Sequence, residues 1–287
     1  MKGDGVSAIY DTDGNFVGTS KEVELSDGLF GIDSNDYLDK QTLVKHTSAT
    51  ATKPDRVILY RDTTLLASFP SHGEEKAIVS GNQADIESIA VFQQALMGHS
   101  MIFIHYKNGD EMGLIPTEHP FWHVGKKLYF RELFNDTIYQ VTKDGLLPER
   151  RFDFGAMTWK REDRYDAQKD DAIYPLEVME NDRFLWLRFV VNLYRQDKRK
   201  AYNALYLKGT GEVKVAAYEE GMENDLNGFL PLQPTFVTAD GEFAQLIPAE
   251  TITEWFEEHP DAAELPAEIQ ALKAIKADDN PVVVLMK

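Results

Sequence analysis

The sequence predicts an all-β protein, because one pattern recurs six times: an apolar strand, a small polar turn and a second strand. Three copies are clear and three are weaker, and they cover residues 8–17, 58–66, 138–147, then 104–110, 205–213 and 236–243. Asp-Gly and Asn-Gly pairs between alternating apolar runs favour tight hairpins, since these turns need positive φ. Copies spaced by a few tens of residues are typical of radial repeats, so we predict a β-propeller of six or nearly six blades.

The first half of the chain consists of strands and turns. Residues 57–69 form one predicted hairpin, with its turn near Asp62. The apolar residues of 86–97 fit helical spacing or a loosely alternating strand, and we favour a strand that pairs with residues 101–106. This half therefore contributes only β-structure to the prediction.

The middle of the chain predicts a meander followed by a connection. Residues 128–134, 137–141 and 147–154 read as three strands. Residues 159–171 are rich in Arg and Asp and predict a long solvated connection. Residues 184–191 are apolar except for Arg188, which is typical of a strand covered on both faces.

The C-terminal part changes from strand to helix patterns. Pro precedes acidic residues at 248–250 and 266–268, and apolar residues then follow at spacings of three and four. We predict a helical segment over 248–277 and a ring-closing strand within 281–287. All of these elements belong to one propeller domain spanning 1–287.

Composition excludes several functions. The 287 residues carry a formal charge of −18, which disfavours nucleic acid because phosphate binding needs clustered Lys and Arg. The chain has no Cys, so neither a disulfide nor a thiolate nucleophile is expected. It has no apolar run of the ~20 residues that cross a membrane, and residues 1–7 lack the apolar core of an export signal. An exported protein from which the signal has been removed would show the same N-terminal sequence features. We also expect the protein to be a monomer.

Three segments carry a resemblance to a known group of proteins. Residues 129–141, 152–155 and 277–284 resemble the uncharacterised six-bladed β-propeller lipoproteins of anaerobic bacterial cell envelopes, a TolB-like or NHL-like group. The resemblance implies a propeller and a location in the cell envelope or outside the cell, on an unspecified side. It implies no catalytic residue, since that group has none established.

The best candidate for ligand binding is the loop over residues 116–123. It begins at Pro116 and gathers His119, Trp122 and His123 around Pro120, and an indole face can stack on a sugar or a peptide. The two His are four residues apart, but Pro120 between them opposes the helix that would make this a metal spacing. The alternative is that these aromatic residues pack between blades.

Arg131 is a further candidate. Together with Glu132 it can line a central channel and contact a ligand, or it can form an ion pair with a neighbouring blade.

Motifs for catalysis or cofactors are weak. Residues 11–15 alternate carboxylates like a calcium loop, but Gly14 falls at the fourth position where a calcium loop has it at the sixth, so a hairpin turn is preferred and no metal is expected. No Gly-x-Ser-x-Gly or nucleotide-binding glycine motif occurs, and no cofactor is expected.

These observations favour a non-enzymatic binding or interaction module of the cell envelope, with an oligosaccharide, a peptide or an envelope protein as partner. The alternatives are a hydrolase with a channel metal, similar to propeller lactonases, and a purely structural subunit.

Overall fold

A computed structural model provides the structure of the chain. It describes residues 6–10, 14–21, 33–47, 56–62, 64–70, 85–97, 99–114, 120–132, 134–163, 166, 169, 171–225, 227–260 and 265–286. Within these ranges, neither helix is long and apolar enough to cross a membrane.

The described residues are mainly β-structure, with two short helices near the C-terminus. The strands are β1 Val6–Tyr10, β2 Phe16–Lys21, β3 Asp33–Asp39, β4 Thr42–Thr47, β5 Arg56–Arg61, β6 Thr64–Pro70, β7 Ile86–Leu96, β8 His99–Tyr106, β9 Glu111–Leu114, β10 Phe121–Val124, β11 Lys127–Phe130, β12 Thr137–Val141, β13 Leu146–Arg151, β14 Ile173–Glu180, β15 Phe184–Val191, β16 Lys200–Leu207, β17 Glu212–Ala217, β18 Phe236–Val237, β19 Phe243–Ile247 and β20 Val282–Met286. The helices are α1 Ala249–Glu258 and α2 Ala267–Ala271. The all-β expectation with a helical C-terminal segment is therefore confirmed.

The described strands form six antiparallel sheets, each built from strands that are consecutive in the chain. They are β1-β2, β3-β4-β5-β6, β7-β8-β9, β10-β11-β12-β13, β14-β15-β16-β17 and β18-β19-β20. The fourth strands are edge strands with exposed apolar side chains, such as Leu65 on β6 and Val213 and Val215 on β17, each more than half exposed.

All six predicted hairpins join strands that pair with each other. The turn residue Asp62 adopts a φ of 54°, and Gly109 in the turn between β8 and β9 adopts 89°. Gly reaches such angles without strain, and Asp tolerates them better than most residues. In the first hairpin β1 pairs with β2. Its predicted turn at Asp13 lies outside the described residues. The predicted strand over 86–97 is confirmed as β7.

The chain divides into two compact units. The first comprises Met1–Trp122, Lys127–Asp153 and Lys160–Ala167. Its core lies between two four-stranded sheets and consists of Val44, Val57 and Leu59 facing Phe121, Leu128, Phe130 and Val141. Burying each such side chain contributes about 1.5–3 kcal/mol, so this interface is a main source of the unit's stability.

The second unit comprises His123–Lys126, Phe154–Trp159 and Gln168–Lys287. Trp186 of β15 packs against Phe243 of β19, so the β14–β17 sheet and the last sheet share a core. Ile252 of α1 is fully buried against Phe229 and Ile247, which attaches the helical segment to the last sheet. The predicted burial of residues 184–191 is confirmed, because five of these eight residues are buried.

Two local expectations are wrong. The strand predicted over 128–134 ends at Phe130, because the Asn135 amide bonds the Glu132 carbonyl and Phe134 adopts a φ of 54°, which turns the chain. The connection predicted over 159–171 is not simply solvated. Trp159 is only 4% exposed and packs edge-on against Tyr174 and Tyr194, because an indole buries more apolar area than the neighbouring charges can offset.

Strand β20 forms a complete ladder with β19, from Ile247 opposite Val282 to Phe243 opposite Met286. This pairing attaches the C-terminus to the last sheet. Its role in closing a ring, and the single domain over 1–287, stay predictions.

Replacing Val284 with Ala is expected to lower the free energy of unfolding by about 1–2 kcal/mol, since its methyl groups pack onto the cluster around Ile252. Val283→Ala on the same strand is the matched control, because Val283 is 54% exposed and loses little packing. Chemical denaturation measures both, and equal losses would contradict the inward orientation of Val284.

Asp39 in the β3–β4 turn gives the fold an acid-sensitive contact. A hydrogen bond from the Gln41 amide, another from Thr42 and the nearby charge of Lys143 lower the pKa of Asp39 from 3.8 to about 2. A depressed carboxylate pKa stabilises the folded chain above the unfolded value, and this contribution is lost as the pH falls from about 4 to about 2.

The difference in melting temperature between the wild type and Asp39→Asn should therefore be larger at about pH 5 than at about pH 2. Asp144→Asn is the control, because Asp144 lies in an exposed turn where no hydrogen bond to its carboxylate is found among the described residues. A difference between wild type and Asp39→Asn that stays constant with pH would refute the role of Asp39.

Candidate functional site

Strands β10 and β11 place an aromatic row on the face opposite the intersheet core. Successive side chains of a strand point to opposite faces, so Phe121 enters the core while Trp122 points away from it and stays half-buried. The Trp122 ring stacks on Tyr129 with centroids 5.9 Å apart and planes 23° apart. The guanidinium of Arg150, on β13, lies 5.0 Å from the centroid of Tyr129. We call Trp122, Tyr129 and Arg150 the aromatic row.

The aromatic row can bind a ligand only through its exposed parts. Tyr129 is 4% exposed and supports its neighbours, whereas Trp122 and Arg150 are both half-buried. A partly exposed indole held by a stacked ring suits the apolar face of a sugar or of a peptide side chain, because little side-chain freedom remains to be lost.

A group of charged residues lies where β4 and β11 end. It is on the face of the β10–β13 sheet that packs on the β3–β6 sheet, opposite the aromatic row. His46 is the penultimate residue of β4, which ends at Thr47, and its ring lies 5.0 Å from that of Phe130. Its Nε2 atom is 3.9 Å from Oε1 of Glu132, and Nη1 of Arg161 is 3.7 Å from Oε2 of the same carboxylate. We call His46, Arg131, Glu132 and Arg161 the rim cluster.

Glu132 is the most costly member of the rim cluster. It is 3% exposed, and removing a carboxylate from water costs several kcal/mol unless cations and hydrogen bonds compensate. Arg161 and His46 both face it, at separations longer than the 2.7–3.2 Å of a hydrogen bond. Glu132 and Arg161 also make further interactions, so this ion pair is not the sole contact of either residue.

Arg131 connects the rim cluster to the aromatic row. Its amide donates to the carbonyl of Pro120 over 3.0 Å, and its Nη1 donates to the carbonyl of Glu132 over 3.3 Å. Pro120 lies two residues before Trp122 on the incoming chain. Asn135 then shapes the turn after the cluster by accepting the amide of Thr137 over 2.9 Å.

The four residues predicted to bind ligand have different environments. The Arg131 amide bonds the carbonyl of Pro120, two residues before Trp122, and Arg131 is only 5% exposed. His123 is exposed on β10, one residue after Trp122. His119 lies outside the described residues, as do residues 11–13 of the calcium-like loop. Their roles as ligand contacts stay predictions.

Sequence reasoning missed His46 and Arg161. They are 86 and 29 residues away from Glu132 in the chain, and no local pattern marks either. The proximity arises from the packing of the β3–β6 sheet on the β10–β13 sheet and from a short 3-10 turn at Arg161–Asp163. Within the ranges that the structure describes, no three His, Asp or Glu side chains group as a metal site would.

The chain belongs to the family described as a domain of unknown function, DUF4934, which it matches over residues 7–287. Among solved structures it is similar to a protein of Bacteroides fragilis NCTC 9343 whose name places it provisionally among exported proteins. The two chains share 14% identity over 98% of this chain and 84% of that one, with a TM-score of 0.42. The comparison with curated proteins finds no significant match. The finer expectation of a six-bladed lipoprotein group stays a prediction.

Proposed function

We propose that this chain is a non-enzymatic binding module of the cell envelope, with an oligosaccharide or a peptide as ligand. The observation that carries the proposal is the half-buried indole of Trp122 stacked on Tyr129. Such a supported ring is an adaptable contact for a sugar ring or an apolar side chain. The envelope location rests on the resemblance of residues 129–141 and 277–284 to envelope proteins.

The architecture that we propose is a propeller whose blades are the six sheets. Each sheet is a meander of consecutive strands, and within each unit two sheets pack face to face. The fourth strands of the β3–β6 and β14–β17 sheets are largely exposed, as expected of the outer strands of blades.

Tryptophan fluorescence tests the proposal with four probes: tri-N-acetylchitotriose, trigalacturonate, trialanine and trialanine amide. We expect at least one probe to give a saturable change with a dissociation constant of about 1 mM or lower. Trp159 and Trp186 are buried, whereas Trp255 is half-buried like Trp122, so the signal is assigned by repeating the titration on Trp122→Phe.

Trp122→Ala should weaken the binding of that probe at least about tenfold, as measured by calorimetry, because stacking on the indole is lost. Trp255→Ala is the matched control, since Trp255 packs on Phe229 in the helical segment. Thermal melts verify that both variants remain folded. Unchanged affinity in a folded Trp122→Ala variant, or no response to any probe up to about 10 mM, would overturn the proposal.

A further inference from the structure

We propose that the rim cluster accepts a carboxylate group of the ligand through the guanidinium of Arg161, in competition with Glu132. The inference rests on the proposed function and specifies the chemistry of the ligand. The carboxylate can come from a uronic acid of a glycan or from the end of a peptide.

Charge is the first reason. The chain carries −18 overall, so it repels anions at a distance and needs local cations to hold one. In the rim cluster the guanidinium of Arg161 faces the carboxylate of Glu132, while the guanidinium of Arg131 donates to the backbone carbonyl of Glu132, so the cluster holds two cations and one carboxylate. Arginine is the side chain best matched to a carboxylate, because its planar fork can donate two parallel hydrogen bonds.

The geometry of the Arg161–Glu132 pair is the second reason. A fork-to-carboxylate pair has N–O distances of about 2.7–2.9 Å, whereas Nη1 of Arg161 is 3.7 Å from Oε2 of Glu132. The internal pair is therefore longer than an optimal one, and a ligand carboxylate at hydrogen-bond distance forms a stronger contact with the same guanidinium.

His46 lowers the free-energy cost of this exchange. Its Nε2 atom is buried and makes no hydrogen bond among the described residues, and it lies 3.9 Å from Oε1 of Glu132. When Arg161 turns towards a ligand, a small shift of the imidazole allows Nε2 to donate to Glu132. The buried carboxylate then keeps a polar partner, which avoids the cost of leaving it alone.

Access and position are consistent with this role. The Arg161 side chain is 18% exposed, against 3% for Glu132, so solvent reaches the cation and hardly reaches the carboxylate. The hydrogen bond from the Arg131 amide to the Pro120 carbonyl ties the rim cluster to the start of β10. Trp122 follows Pro120 by two residues. A ligand stacked on Trp122 can thus extend a carboxylate towards this end of the sheet.

The test compares the same four probes by calorimetry on wild type and Arg161→Gln. We expect trigalacturonate or trialanine to lose roughly tenfold to hundredfold in affinity in Arg161→Gln, the range for a charge-assisted hydrogen bond. Binding of tri-N-acetylchitotriose and trialanine amide, which carry no carboxylate, should stay within about twofold. Preference for trigalacturonate identifies a uronate as the source, and preference for trialanine identifies a peptide carboxylate.

Glu132→Gln distinguishes recognition from a merely structural role. Removing the competing charge should strengthen binding of the carboxylate probe severalfold, whereas loss of a structural ion pair weakens it. Arg151→Gln is the charge-matched control, because Arg151 is exposed and pairs with Asp136. Arg161→Lys, which keeps the charge and loses the fork, should bind with intermediate affinity.

Equal losses in Arg161→Gln for probes with and without a carboxylate, or weaker carboxylate binding by a folded Glu132→Gln variant, would overturn the inference. Binding of the probes without a carboxylate that depends on Trp122 but not on Arg161 would leave the proposed function intact.

Discussion

The burial of Phe130 between two sheets is the constraint on which the candidate site depends. This side chain is completely buried, in contact with Phe121 of its own sheet and with His46 of the neighbouring one. Because strand side chains alternate, fixing Phe130 in the core directs Tyr129 to the opposite face, and Glu132 follows Phe130 towards His46. A one-residue slip of β11 would exchange these two environments and abolish both the aromatic row and the rim cluster.

The hairpins were predictable because their determinants are local. Asp62 with its positive φ, and Asn108-Gly109 between two apolar runs, specify turns without reference to the rest of the chain. The same is true of α1, where Pro248 and the apolar spacing of Ile252 and Trp255 mark a helix that the structure confirms. Local chemistry therefore predicted which segments pair with their immediate neighbours.

The candidate site was predictable only in part, for a physical reason. Trp122 is conspicuous in the sequence because it lies with two His around Pro120, and Arg131 because its segment, residues 129–141, resembles a known group of proteins. The proximity of His46 to Glu132 depends on how the β3–β6 sheet packs on the β10–β13 sheet. No short sequence motif encodes that packing, because it depends on side chains from several strands of both sheets. The end of β11 was misjudged as well, because the turn at Phe134 competes with the apolar pattern and the backbone hydrogen bond to Glu132 favours the turn.

The apolar outer strands have a consequence for the behaviour of the molecule in concentrated solution. Among the described strands, β6 with Leu65 and β17 with Val213 and Val215 are edge strands, and an edge strand can pair with a strand of another molecule. At neutral pH the charge of −18 keeps neighbouring molecules apart. Acidification towards the isoelectric point near 4.8 neutralises enough carboxylates to remove this repulsion while leaving the edges intact. The same surfaces that are harmless under neutral conditions then become the points from which edge-to-edge association starts.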